Sequence, residues 1–213
     1  VSGYGRTVLL AYGGGSVKAN GIYDELKGLL EAAGKEVVDF SGIMPNPTYT
    51  KVQEGARLVR ECGVDFILAV GGGSVIDGTK LISAGIPYEG DAWELVKKGS
   101  SQVTIPLGTV LTIPATGSEM NNGAVISRRE THEKYPFYAD YPVFSILDPT
   151  VTFSLPDFQI ACGLADTFVH VMEQYMTKSN ESYLMDRWSE SILRTLVQIA
   201  PLIKENKQDY HLM

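Results

Sequence analysis

Asp166 and His170 stand four positions apart in a stretch that favours helix, so a carboxylate and an imidazole project from one face and can share a divalent cation. An ordinary hydrogen-bonded or solvent-facing pair has the same spacing, and the pattern alone leaves both readings open. The other residues with chemical potential are glycines. Gly71-Gly72-Gly73-Ser74 ends an apolar run, Phe66 to Val70, and opens a helical pattern carrying Val75, Ile76, Thr79, Leu81 and Ile82. Backbone amides at such a helix start bind pyrophosphate, and the absence of Cβ atoms at Gly72 and Gly73 lets it come close. Asp77 falls in the first helical turns, where its charge suits the helix dipole or reaches a cofactor group. A tight turn with no ligand is the alternative.

A second glycine corner, Gly13-Gly14-Gly15-Ser16, closes the apolar run Val8 to Tyr12. A dinucleotide reader places an acidic side chain against the ribose 2′-hydroxyl. Here Gly13, Gly14 and Ser16 are followed by Lys18 instead. An acid repels a 2′-phosphate and a lysine attracts it, so the expected preference is NADP(H) over NAD(H). The competing reading is an open loop that touches nothing. Thr112, Thr116, Ser118 and Asn121 cluster around a further turn and Lys134 follows, all able to hydrogen-bond amide, ribose or phosphate. Singly, each hydroxyl is as well explained as a turn or capping device, and Lys134 as a solvated lysine. His132 sits among Glu130 and Glu133 and reads as exposed, while His211, beside the end of the sequence, has no readable orientation.

The elements that must hold these residues alternate. A strand reaches Tyr12, a helix runs from about Ala19 to Ala33, and a strand spans Glu36 to Phe40. Pro45-Asn46-Pro47 forces a loop, and helix Thr48 to Cys62 leads to strand Phe66 to Val70. Further strands are read at Val110 to Ile113, Gly123 to Ser127 and Val143 to Leu147, the last close to the Asp148-Pro149 turn. The alternation predicts an α/β, doubly wound, mostly parallel sheet with right-handed crossovers. From about Leu155 the sequence favours helix almost continuously. Ser154, Pro156 and Asp157 suggest a capping-box start. Leu184, Trp188, Ile192, Leu196, Ile199 and Ile203 recur at helical spacing as the buried face of a second helix, which Pro201 bends or ends. The division expected is 1–153 and 154–213, and the second part, about 60 residues, is marginal as a lone domain.

Composition narrows the partners. A net charge of -7 without clustered Lys and Arg argues against nucleic acid. Lys97-Lys98 reads as solvated surface. No run approaches the ~18 apolar residues of a membrane span, and the opening residues lack a signal-peptide pattern. Cys62 and Cys162 both fall in helical segments and are expected to be buried and unpaired, which favours a reducing cytoplasm.

Taken in order, six motifs stand out: Gly13-Gly14-Gly15-Ser16, Pro45-Asn46-Pro47, Gly71-Gly72-Gly73-Ser74-Val75-Ile76-Asp77, Thr116-Gly117-Ser118-Glu119, Asp148-Pro149 and Asp166-x-x-x-His170. This set resembles the iron-containing, or group III, alcohol dehydrogenases, and within them the NADPH-dependent butanol dehydrogenase and aldehyde reductase branch. The resemblance implies a dinucleotide-binding domain over 1–153 followed by the start of an all-helical, metal-binding domain at 154–213, with cofactor and metal in the cleft between them. It implies cofactor contacts at Gly13, Gly14, Ser16, Gly72, Gly73, Ser74, Asp77, Thr112, Ser118, Asn121 and Lys134, and Fe2+ or Zn2+ at Asp166 and His170.

The implied reaction is reversible hydride transfer between NADP(H) and a small aldehyde or primary alcohol, with the metal as a Lewis acid on the oxygen. A homodimer is a further implication. Family members give the metal one aspartate and three histidines, and the two later histidines are absent here. The chain is therefore expected to be a fragment that binds metal weakly and turns over little alcohol. Two alternatives stand beside this reading. One is a glycerol dehydrogenase or dehydroquinate synthase type on the same scaffold, against which the segment Gly13-Gly-Gly-Ser-Val-Lys-Ala-Asn-Gly21 speaks. The other is a nucleotide-binding module without catalysis.

Overall fold

Short runs of Val, Leu, Ile and Phe assemble the sheet that carries both glycine corners. The structure is a computed structural model and describes residues 1, 3–88, 90–177 and 182–213. Its strands are β1 (Thr7–Tyr12), β2 (Glu36–Phe40), β3 (Phe66–Gly71), β4 (Leu107–Leu111), β5 (Gly123–Arg128), β6 (Glu133–Tyr138) and β7 (Phe144–Ile146). Its helices are α1 (Ser16–Ala19), α2 (Ile22–Ala32), α3 (Tyr49–Cys62), α4 (Gly73–Gly85), α5 (Ala92–Lys98), α6 (Asp157–Tyr175) and α7 (Tyr183–Glu205). The chain forms two units, one of residues 1–112 with 117–147, the other of residues 113–116 with 148–213.

In the first unit the sheet runs β2-β1-β3-β4-β7 and every pairing is parallel. Strands β3 and β4 are buried at every position, as continuous apolar strands covered on both faces must be. The chain winds one way from β1 to β2 and the other way from β1 to β3, so the point where the order reverses lies between β1 and β3. In open α/β sheets ligands bind outside the carboxyl ends of the strands at that point.

Three readings of this unit need correction. The helix expected from Ala19 to Ala33 is two helices, α1 and α2, because Gly21 adopts φ 83°, a conformation no right-handed helix contains, and Asn20 Oδ1 accepts the Ile22 N–H at 3.3 Å to start the second. Gly123 to Ser127 does form a strand, but in a separate antiparallel ribbon with β6, a partner whose Pro136 and charged residues gave no strand signal. Cys62 is exposed, because it closes α3 on the solvent side just before Gly63 turns the chain back.

In the second unit, Asp148 caps a short 3-10 turn (Pro149–Thr152), accepting from the Thr150 amide and hydroxyl at 2.9 and 2.8 Å. The start of α6 is not the capping box expected at Ser154 and Asp157: Pro156, which has no side-chain acceptor, is the N-cap. Asp157 instead accepts from Lys207 Nζ at 2.7 Å, and that ammonium holds its carboxyl below the usual range. Pro201 does not end α7, which continues to Glu205.

The apolar stripe of α7 is not the buried face that its spacing predicts. Leu184, Trp188 and Ile192 are exposed, and only Ile203 is buried. α6 packs against α7 and buries none of its own residues, Cys162 included. Two helices cannot enclose one another's apolar faces, a shortage of covering surface that a stretch of this size anticipates. No helix among the described residues is long and apolar enough to cross a membrane.

Candidate functional site

Parallel pairing puts the two glycine corners side by side. Tyr12 of β1 is in register with Val70 of β3, so the chain leaves β1 at Gly13 on the level of Gly71, the last residue of β3, beside the sheet's reversal point. Gly13 is needed for close approach: a Cβ there would lie 3.2 Å from the Ile43 carbonyl oxygen, and the Gly13 carbonyl accepts from the Gly42 amide at 2.8 Å. At Gly14 and Gly15 a Cβ would meet nothing within 4 Å, so that part of the corner faces open space. Ser16, which starts α1, is exposed.

Lys18 lies over the rings of Tyr12 and Tyr23, 5.2 and 4.5 Å from their centroids. Hydrogen bonding with Tyr12 holds its ammonium above the ordinary lysine value. The Tyr12 hydroxyl in turn donates to Asp39 Oδ2 at 3.0 Å. The Asp39 carboxylate, itself exposed, is thus engaged by a phenol, and the exposed Lys18 ammonium lies over the same ring.

At the second corner Gly72 is the N-cap of α4, a helix of thirteen residues whose N-terminus no side chain caps. Helix amides and dipole make such an end an anion site. Ser74 Oγ accepts from the Asn46 amide at 3.3 Å, and Asn46 Oδ1 accepts from Lys134 Nζ at 2.8 Å. Asn46, at φ 55° between two prolines, therefore joins Ser74 and Lys134, which are sixty positions apart in the chain. Lys134 is carried by the β5–β6 ribbon, which the first unit anchors through Arg128: its guanidinium sits over the Tyr49 and Trp93 rings at 5.3 and 5.6 Å.

Asp77, Ser118 and Asn121 are drawn together by Lys80, a residue outside the sequence motifs. Lys80, fully buried on α4, donates to the Ser118 carbonyl (2.7 Å), Ser118 Oγ (2.9 Å), Asn121 Oδ1 (3.1 Å) and the Gly123 carbonyl (2.7 Å). Ser118 Oγ donates to Asp77 Oδ1 at 2.6 Å, and Asp77 Oδ2 accepts from the Val125 amide at 2.9 Å. Burial pushes the Lys80 ammonium down to about 8, opposed by the negative charges of Asp77 and Glu119. Burial likewise raises the Asp77 carboxyl, opposed by its bond from Ser118. Thr112, buried at the end of β4, gives its amide to the Gly71 carbonyl at 3.1 Å and so fixes the second corner from behind. A lysine seven residues beyond Gly73 in an otherwise buried helix face was the signal available for Lys80.

In the second unit, His170 Nε2 lies 3.6 Å from Asp166 Oδ2, with both side chains about half exposed. A tetrahedral ion with ligands at about 2.1 Å holds neighbouring donors about 3.4 Å apart, so this pair fits two corners of such a site. Among the described residues no group of three or more His, Cys, Asp or Glu side chains is placed to hold a metal. His132 is exposed, as its charged surroundings predict.

Comparison with known proteins gives one consistent result. Residues 1–149 match the family model for iron-containing alcohol dehydrogenase. A probable NADH-dependent butanol dehydrogenase 2 of Bacillus subtilis (strain 168) is 47% identical over 212 residues, 98% of this chain and 54% of that protein. The NADPH-dependent aldehyde reductase YqhD of Escherichia coli (strain K12) is 46% identical over 209 residues, 95% of this chain and 54% of that one. The crystal structure of NADH-dependent butanol dehydrogenase A from Thermotoga maritima superposes with a TM-score of 0.91 at 40% identity, covering 97% of this chain and 52% of that chain. The chain spans about half the length of the curated relatives it matches.

Proposed function

Because the chain belongs to the iron-containing alcohol dehydrogenase family, we propose that it supplies the nucleotide-holding part and two metal ligands of an NADP(H)-linked enzyme that interconverts a small aldehyde and its primary alcohol. The observation that carries the reading is the pairing of two glycine corners at the reversal point of the sheet, one of them opening an uncapped helix. A pyrophosphate there meets the amides at the start of α4, close to the backbone of Gly72, Gly73 and Ser74. Asp77, Thr112, Ser118, Asn121 and Lys134 border the same corner and provide hydrogen bonds for ribose and amide groups.

The adenosine 2′-phosphate belongs at Gly13, Gly14 and Ser16, beside Lys18. A positive side chain at that corner, with the nearby Asp39 carboxylate accepting from the Tyr12 hydroxyl, favours NADP(H); among the relatives, butanol dehydrogenase 2 is called NADH-dependent and YqhD NADPH-dependent, so family membership does not decide the question. Asp166 and His170 fit a divalent ion, Fe2+ or Zn2+, whose chemistry when bound is to polarise the carbonyl or alkoxide oxygen. The carboxylate contributes charge and the imidazole a neutral nitrogen donor, and either ion accepts that pair. With two such ligands, the 213-residue chain is expected to hold metal weakly and turn over little substrate.

NADPH and NADH titrations, followed by NADPH consumption with butanal in the presence of Fe2+ or Zn2+, test the reading. Tighter binding of NADPH with slow turnover is expected. Tighter binding of NADH removes the NADP(H) preference, and binding of neither nucleotide removes the proposal.

A further inference from the structure

We propose that Lys80 is a positioning residue for the nucleotide site, tying the turn from Ser118 to Gly123 and the head of β5 to α4 and thereby setting the surface that Asp77, Ser118 and Asn121 present. The inference rests on the nucleotide reading above and extends it to a side chain that no nucleotide needs to touch.

Four oxygens lie within 3.1 Å of Lys80 Nζ, two of them backbone carbonyls of the turn and its exit into β5. An ammonium has three protons, so the cluster leaves it saturated, with one bond shared. The two side-chain acceptors are thereby oriented. Ser118 Oγ, receiving from Lys80, aims its own proton at Asp77. Asn121 Oδ1, receiving from Lys80 and from the Gly123 amide, turns its Nδ2 to the Gly117 carbonyl. The neighbouring positions on α4, Thr79, Leu81 and Ile82, are fully buried, and packing alone would be met by an aliphatic residue at 80. An interior ammonium carries a large desolvation cost unless its bonds are needed. Here three of those bonds go to Ser118 and Asn121 in the turn and the fourth to Gly123 at the head of β5, none to the five-stranded sheet.

The test compares the 213-residue chain with its Lys80→Met variant by hydrogen exchange and NADPH titration. The amides of Gly123 and Val125 should exchange at least tenfold faster in the variant while β1 and β3 stay protected, and the NADPH dissociation constant should rise at least tenfold. In the unaltered, isotope-labelled chain the Lys80 Nζ resonance should be protected and should move on saturation with NADPH. Unchanged exchange and affinity would overturn the proposal, as would faster exchange spread evenly through β1 and β3, which marks a contribution to global stability only. Should Lys80→Met not fold, the Nζ resonance decides: protected and shifted by NADPH supports the role, unprotected or unmoved overturns it. Failure of the unaltered chain to bind NADPH or NADH is seen before any variant is made, and it removes the nucleotide reading and this role with it.

Discussion

His170 Nε2 faces Asp166 Oδ2 at 3.6 Å across one turn of α6. A carboxylate and an imidazole so placed attract a cation, but two ligands leave half of a tetrahedral shell to water. Calorimetric titration of the chain with Zn2+ should therefore show one weak site, and Asp166→Ala or His170→Ala should each lower its affinity at least tenfold. Zn2+ affinity that survives both substitutions would place the ion elsewhere.

Gly14 offers a direct probe of nucleotide choice, because a side chain there enters open space and strains nothing. Gly14→Asp puts a carboxylate on the first corner, where it repels a 2′-phosphate and accepts from a 2′-hydroxyl. NADPH affinity should fall at least tenfold and NADH affinity should hold or improve, as measured by fluorescence titration. Equal losses for both nucleotides would mean that the corner does not meet the ribose.

Lys80 gives stability a defined pH dependence. Its folded value of about 8 lies below the ordinary 10.5, so between those limits the unfolded chain binds more protons and stability rises with pH. The gain across the window is on the order of 3 kcal/mol for this one group. Asp77 acts in acid: with its folded value raised, it contributes stability below the ordinary carboxylate range that is lost as pH rises through the folded value. Urea unfolding at pH 8 and pH 10 should show the gain in the unaltered chain and its absence in Lys80→Met. A parallel gain in both would assign it to other groups.

Two glycines should respond in opposite directions to the same substitution. A Cβ on Gly108 of β4 would lie 2.5 Å from the ring of Phe144 on β7, so Gly108→Ala should destabilise by about 1–3 kcal/mol. A Cβ on Gly28 within α2 meets nothing within 4 Å, so Gly28→Ala should stabilise by about 0.5–1 kcal/mol through helix propensity. Chemical denaturation of both variants checks the pair.

The sheet was legible because Val8 to Tyr12 and Phe66 to Val70 are uninterrupted apolar runs ending at glycine, a pattern with few structural meanings. The ribbon partner β6 was not, since its exposed Lys134, Tyr135 and Pro136 answer to a local contact surface rather than to a period. Asp166 and His170 could be paired from spacing alone, because a helix fixes which positions share a face. Spacing marks Lys80 only as a lysine on an apolar helix face and gives no role to Asn46: each draws its meaning from oxygens and nitrogens dozens of positions distant, and those become neighbours only when the strands align. The stripe on α7 shows the opposite case, in which periodicity reports that a face is apolar and says nothing of what covers it.

Both thiols of the chain lie on its outside, one in each unit: Cys62 closes α3, and Cys162 sits on α6 one turn ahead of Asp166. The molecule thus carries two natural attachment points for optical labels, the second beside the carboxylate and imidazole pair. Quenching of a dye on Cys162 by a bound paramagnetic cation would report occupancy of that helix without any change to its sequence.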